Sequence, residues 1–405
     1  MKHPLPRGWT LKRLGDITER ITRKNTINNN NVLTISAEHG FISQDKFFTK
    51  IVASKDLSKY ILLYKGDFCY NKSYCRGYPY GVFRKLKNYD VGVATSLYIY
   101  FKIIEGDSTF FEYLFDVGTL NKQLSIISQE GVRNHGLLNV PIEDFFNMTV
   151  PFPPIDEQKR IAEVLSLCDK LIENLTKLIE KKEIYKKGVM QRVLSGKARF
   201  NGFTDEWKEY KLENIGMSYG GLTNKNASDF IDKCNAKYIT YKSIYDCNKI
   251  DIKRLEDVYI EENEKQNLVQ YGDAFFTISS ETPDEVAISS VLLDEVENTY
   301  LNSFCFGFRF NFNILVPEFA RYYFRSNYVR KYTYKLSQGS TRFNLSKNKF
   351  LEMIVKLPSI DEQKKIGELL SLIDQDIDNL KQLLHLRKLQ KKGLMQKLLT
   401  GEVRI

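Results

Sequence analysis

Two short loops of this 405-residue chain hold the residue types best suited to reading a polar edge. In residues 131–137, Arg133, Asn134 and His135 lie between Gly131 and Gly136. In residues 339–345, Ser340, Thr341, Arg342 and Asn344 follow Gly339. Arginine and asparagine make paired hydrogen bonds to base edges, the first to guanine and the second to adenine. Upstream of each loop runs a basic stretch. Residues 68–89 contain five Lys or Arg and no acid, interleaved with Tyr70, Tyr74, Tyr78, Tyr80 and Tyr89. Lys72, Tyr74, Arg76, Tyr78 and Arg84 are its candidates for contact. Residues 309–349 contain nine Lys or Arg against a single acid, Glu318; Arg309 and Lys347 join the loop residues there. Taken singly, each is most simply a phosphate contact or a surface charge, because phosphate contacts outnumber base contacts. As two clusters they describe a face for nucleic acid. His135 reads equally as a loop residue held by hydrogen bonds.

The motifs of catalysis are missing. No G-x-x-x-x-G-K-[ST] cradles a nucleotide phosphate and no G-x-G-x-x-G follows a strand. The Asn/Asp-Pro-Pro-aromatic sequence of an amino-methyltransferase does not occur, and Pro153-Pro154-Ile155 does not replace it. Pro283-Asp284-Glu285-Val286-Ala287 lacks the lysine of a restriction-type nuclease site and reads as a surface turn. Histidines 3, 39, 135 and 385 show neither metal-ligand spacing nor a triad. Cysteines 69, 75, 168, 234, 247 and 305 form no CxxC pair and read as small reduced residues of a cytoplasmic protein. No apolar stretch approaches the ~18–20 residues that cross a bilayer, and the N-terminus lacks the apolar core of a secretion signal. The expectation is a non-catalytic chain with no cofactor or metal of its own.

The elements that carry these loops come in two blocks, 1–152 and 201–357, with landmarks in one order. Trp9, Leu14 and Ile17 open the first; Trp207, Leu212 and Ile215 open the second. Gly66-Asp67 and Gly272-Asp273 each turn into an aromatic strand. Alternating strands at 96–101 and 303–308 precede aromatic amphipathic helices at 110–115 and 318–324, and the Gly-to-Leu loops come last. Strands mixed with helices imply an α+β domain in each block.

After each block comes a near copy of one segment, 153–200 and 358–405, aligned without a gap at an offset of 205. Ile155-Asp156-Glu157-Gln158 returns as Ile360-Asp361-Glu362-Gln363, and Lys186-Lys187-Gly188-Val189-Met190-Gln191 as Lys391-Lys392-Gly393-Leu394-Met395-Gln396. The copies close at Leu194-Ser195-Gly196 and Leu399-Thr400-Gly401. In the first, Ile161, Leu165, Cys168, Ile172, Leu175 and Ile179 recur at alternating spacings of four and three. Ile366, Leu370, Ile373, Ile377, Leu380 and Leu384 do so in the second. This is a coiled-coil seam, with carboxylates in the first turn and glycine at the C-terminal cap. The register then puts Lys182, Lys186, Arg387 and Lys391 on the seam, either as a solvated splay or as a polar surface for a partner or DNA. Some 38 residues at ~1.5 Å each make a rod of roughly 57 Å, longer than one ~34 Å turn of duplex DNA.

Domain, Pro-x-x-Glu-Gln helix, domain and Pro-x-x-Glu-Gln helix, with Lys-Lys-Gly near each helix end, resembles the specificity subunit of type I restriction-modification systems along the whole chain. The resemblance implies two target-recognition domains, 1–152 and 201–357, each reading one half of a bipartite, asymmetric site in double-stranded DNA. It implies spacer helices in 153–200 and 358–405, packed as an antiparallel coiled coil that docks two methyltransferase subunits. S-adenosylmethionine would belong to those subunits, and ATP and magnesium to a restriction subunit with translocase and endonuclease activity. No membrane is involved. The acidic run 246–297 departs from this pattern and confines a second DNA face to 309–349. The competing expectation is a coiled-coil adaptor joining two protein-binding modules without DNA readout.

Overall fold

The first strand of each block pairs with its last. In the computed structural model, which describes residues 5–47, 54, 56–73, 77–130, 137–231 and 234–405, Thr10–Arg13 runs antiparallel to Thr149–Phe152. Lys208–Lys211 does the same with Ile354–Leu357. Each closing strand leads directly into a long helix, Ile155–Val193 or Ile360–Thr400. Contacts group the chain into two compact units. One holds residues 1–175 with 383–405, and the other holds 176–382. Each unit therefore owns one block, the start of the helix that follows it, and the end of the other helix.

Both units hang on a four-stranded antiparallel sheet with one strand order. In the first it is Thr18–Arg20, Ile99–Ile103, Phe68–Asn71, Val82–Lys85. In the second it is Gly216–Gly220, Cys305–Phe310, Ala274–Thr277, Ser289–Val291. The late alternating strand sits centrally in each, against the strand that leaves the Gly-Asp turn. Their inward aromatics stack, Phe68 on Phe101 and Phe276 on Phe306, with centroids 5.5 and 5.2 Å apart. Helices Ser108–Asp116 and Pro317–Tyr323 cover the sheets, burying Phe110, Phe111 and Leu114, or Phe319, Tyr322 and Tyr323. The Gly-Asp turns need their glycines: Gly66 and Gly272 adopt φ of 96° and 82°. Asp67 and Asp273 then accept the amide protons of Tyr64 and Gln270 at 2.8 and 2.9 Å.

The long helices run antiparallel, as the contacts inside each unit require. In the first, Ile161, Ala162 and Leu165 share a core with Leu394, Leu398 and Leu399. In the second, Val193 and Leu194 share one with Ile366 and Leu370. Along the seam Ile161, Leu165, Leu175, Ile179, Ile366, Leu370 and Ile377 are buried, while Cys168, Ile172, Ile373, Leu380 and Leu384 are half-buried. The lysines on the seam are neither a solvated splay nor a free surface. Asp169 accepts from Tyr113 Oη at 2.6 Å and from Lys391 Nζ. Asp374 accepts from Tyr322 Oη at 2.7 Å and is paired with Lys186. Lys182 bridges to Asp376 at 2.7 Å, and Arg387 turns back to Gln390. A charged residue on the seam, paired with a carboxylate that flanks it, fixes register in coiled coils, and the same cluster occurs once in each unit.

A second matched cluster explains the Pro-x-x-Glu-Gln motif. Gln158 accepts the Asp107 amide proton at 2.8 Å and donates to Pro153 O. Gln363 accepts that of Val316 at 2.8 Å and donates to Pro358 O and Ile314 O. The glutamate beside it takes a bidentate arginine from just beyond the other helix's end: Arg404 on Glu157 at 3.0 and 2.7 Å, Arg199 on Glu362 at 2.9 and 2.7 Å. Gly401 and Gly196, at φ of 72° and 71°, let Trp9 and Trp207 lie against the helix ends. Arg404, helped by the Trp9 indole, holds the Glu157 carboxyl below its ordinary 4.5. A carboxyl depressed by folding contributes stability above its unfolded value and loses it as pH falls through the lower folded value. Thermal melts between pH 5 and 3 should therefore show a steeper loss for the wild type than for Arg404→Gln. Parallel acid limbs would refute this coupling.

Candidate nucleic-acid interface

The Gly-to-Leu loop meets the sheet at one place in both units. In the first, Ser73, two residues past Phe68–Asn71, forms a bridge with Leu137, and Lys72 O accepts the Leu138 amide proton at 2.9 Å. In the second, Ser279-Ser280, two residues past Ala274–Thr277, pairs with Phe343–Leu345, Ser279 opposite Asn344. The two clusters singled out in the sequence, one after the Gly-Asp strand and one in the Gly-to-Leu loop, thus meet at their bases. Tyr74, Arg76, Arg133, Asn134 and His135 lie outside the described residues, flanked by this Ser73–Leu137 bridge.

The basic stretches divide once their partners are known. Arg84 donates to Ala37 O at 3.1 Å and to Asp116 at 2.8 Å, and covers the half-buried Tyr78 ring. Burial pushes the Asp116 carboxyl up against the pull of Arg84. Lys85 and Lys87 turn to the same helix, onto Ser108 and Glu112. Arg309 grips Asp273 with two bonds of 2.9 and 2.7 Å over the Tyr219 ring. Arg84 and Arg309, expected from sequence at the DNA, are therefore engaged inside their units: a guanidinium carries five donors, and these spend theirs on internal acids and carbonyls. Arg325 does likewise with Ser289 O, Ile244 O and Cys247 O, and Arg330 with Ala287 O and Val286 O. Arg321 binds Ser371.

Of the nine cations between 309 and 349, Lys331, Lys335, Arg342, Lys347 and Lys349 are exposed. Ser340, Thr341 and Asn344 are exposed beside Arg342. Arg342 overhangs a cleft of about 570 Å³ walled by Tyr241, Tyr245, Ser279, Glu281 and Phe304. Tyr241 and Tyr245 stack at 6.4 Å, and Tyr245 donates to Glu285. In the first unit Lys72 is half-buried at the loop junction. The cleft was missed in the sequence because Tyr241, Glu281 and Phe304 lie far apart along the chain. The Glu157–Arg404 and Glu362–Arg199 clamps were missed too, although both partners recur at the offset of 205. Among the described residues no group of three His, Cys, Asp or Glu could hold a metal ion, and no helix is long and apolar enough to cross a membrane.

Two modules of one topology, each joining its loop to the sheet at the same junction and packed on antiparallel helix segments, define a duplicated protein, and the second presents exposed cations at that junction. The model of the type I restriction modification DNA specificity domain matches residues 6–183 and again 204–386, and the chain belongs to that family. It is 27% identical over 285 residues to the MjaVIII specificity subunit of a type I restriction enzyme from Methanocaldococcus jannaschii, covering 67% of this chain and 65% of that one. It is 23% identical over 275 residues to the MjaX specificity subunit assigned to a type I restriction enzyme of the same organism, 64% and 60% covered. The matches thus span just under two thirds of these relatives. The fold is similar along 99% of both chains to the HsdS subunit from Thermoanaerobacter tengcongensis, at a TM-score of 0.53 and 18% identity. It is also similar to the type I S subunit from M. genitalium, over 98% of both chains, at 0.54 and 17%.

Proposed function

We propose that this chain is the specificity subunit of a type I restriction-modification system, supplying sequence recognition and no chemistry. Each unit reads one half of a bipartite, asymmetric site in double-stranded DNA. Residues 1–152 and 201–357 are the recognition blocks, and 153–200 and 358–405 are the spacers that fix the gap. The helices dock two methyltransferase subunits, which carry S-adenosylmethionine, and a restriction subunit joins with ATP and magnesium. The observation that carries this reading is one frame with two different rims. The sheets share a strand order, yet the loops on the same junction read Val132-Arg133-Asn134-His135 and Ser340-Thr341-Arg342-Phe343. A common frame with divergent rims is what two unlike half-sites demand, since base choice rests on a few side chains.

Host DNA sequenced at single-molecule level, with and without this gene, tests it. A split motif with adenines modified only in the gene's presence is expected. An active methyltransferase partner with no gene-dependent motif would refute DNA readout and leave the protein-binding adaptor.

A further inference from the structure

We propose that the cleft beneath Arg342 reads one guanine–cytosine pair of the second unit's half-site, Arg342 on the guanine and Glu281 on the cytosine amino group. The inference rests on the DNA-reading function above and goes on to name the base pair and the residues that choose it.

Arg342 differs from the other arginines of this unit in what holds it. Ser279 Oγ accepts from its Nε at 3.2 Å and its Nη2 at 3.0 Å. The guanidinium plane also lies 5.8 Å from the Phe304 ring centre. A serine hydroxyl and a phenyl face orient the fork without neutralising it, and among the described residues no carboxylate forms an ion pair with it. Ser279 uses one edge of the planar group. Among the described residues the terminal edge, Nη1 with the second Nη2 proton, meets no acceptor, and it has the spacing that guanine O6 and N7 accept. Arg309 in the same unit offers the contrast, since Asp273 occupies two of its donors.

The cleft supplies the complementary acceptor. Two carboxylates line it, and they differ. Glu285 is taken by Tyr245 Oη and Ser280 Oγ. Glu281 is exposed and has no hydrogen-bond or ion-pair partner among the described residues. A lone carboxylate repels phosphate, so its presence beside an exposed cation argues against a purely backbone-binding patch. It accepts instead from an amino group, which cytosine N4 provides in the major groove. Phe304, 55% exposed, adds an apolar surface for a neighbouring pyrimidine.

The complete complex with its methyltransferase, carrying wild type, Arg342→Gln or Glu281→Gln, decides the matter when its modified motif is read from a randomised duplex library. The wild type should fix at least one G·C pair in one half of a split motif. Arg342→Gln should relax that position alone, lowering its discrimination roughly 10- to 100-fold. Glu281→Gln should relax the same base pair, and the other half should stay unchanged in both. A uniform loss across all positions, as from a phosphate contact, overturns the assignment, as does an unchanged motif. A wild-type complex that modifies no split motif overturns the DNA-reading function itself, and the assignment with it. Arg342 and Glu281 are both exposed, so melts matching the wild type should accompany the expected result.

Discussion

Replacing Arg199 by alanine is expected to destabilise the second unit by about 3–5 kcal/mol, the cost of leaving a buried carboxylate without its partner. For a unit of this size that is a fall in melting temperature of roughly 10 °C. Glu362 is fully buried, and both its oxygens are held by Arg199. Without the guanidinium, a fully buried carboxylate is left without its charged partner. The equivalent change in the first unit, Arg404→Ala, should cost about half as much. Glu157 would keep the Trp9 indole, 3.1 Å away, and Arg404 is 45% exposed where Arg199 is 22%. Trp207 stands where Trp9 does, but its Nε1 is buried and unpaired among the described residues. Adding Glu362→Leu to Arg199→Ala should recover much of the loss, because an apolar side chain in place of the carboxylate removes the stranded charge. Thermal melts of the four chains side by side are the measurement. An Arg404→Ala penalty equal to that of Arg199→Ala would sink the argument from unequal partners.

The architecture was legible because it is written as periodicity and repetition. The 4-3 spacing from Ile161 to Ile179 gave one helix, and the offset of 205 gave its twin. The observed helices, 39 and 41 residues long, begin at the Ile-Asp-Glu-Gln motifs and reach almost to Gly196 and Gly401. The landmark strands and helices also fall within a few residues of their expected places, since each is set by local pattern. Strand order was not legible, because pairing joins Phe68 to Phe101 and Phe276 to Phe306 through contacts that no local pattern encodes. The basic stretches misled for a related reason. Counting charge weighs Arg309 and Arg342 alike, yet one is spent on Asp273 and the other rests, among the described residues, on a serine and a phenyl ring. The register put Lys182, Lys186 and Lys391 on the seam, but their partners Asp376, Asp374 and Asp169 could be seen only once the helices had a direction.

On the proposed docking of two methyltransferase subunits, changing Leu178 to glutamate should remove one of them, Leu383→Glu the other, and the double variant both. The expectation comes from apolar residues that the seam does not use. Leu167 and Leu372, equivalent at the offset of 205, are 56% and 57% exposed; Leu178 and Leu383 are 40% and 37% exposed. A soluble helix gains nothing from repeating exposed leucines at matched positions, whereas two equal docking sites require it. Covering the exposed part of one such leucine contributes about 0.6–1.2 kcal/mol, and seating a carboxylate there instead adds the larger cost of an unpaired buried charge. Together these weaken each contact by on the order of 100-fold or more. Each side chain keeps over a third of its surface in water in the isolated chain, so its melting should shift by no more than about 1 kcal/mol, and melts alongside the mass measurement separate loss of a partner from unfolding. Native mass measurement of the assembled complex reads the outcome directly: one subunit lost per single change. Were Leu178→Glu to release both subunits, the partners would share one site, and the duplicated leucines would need another explanation. Full retention in the double variant would move docking off this stripe altogether.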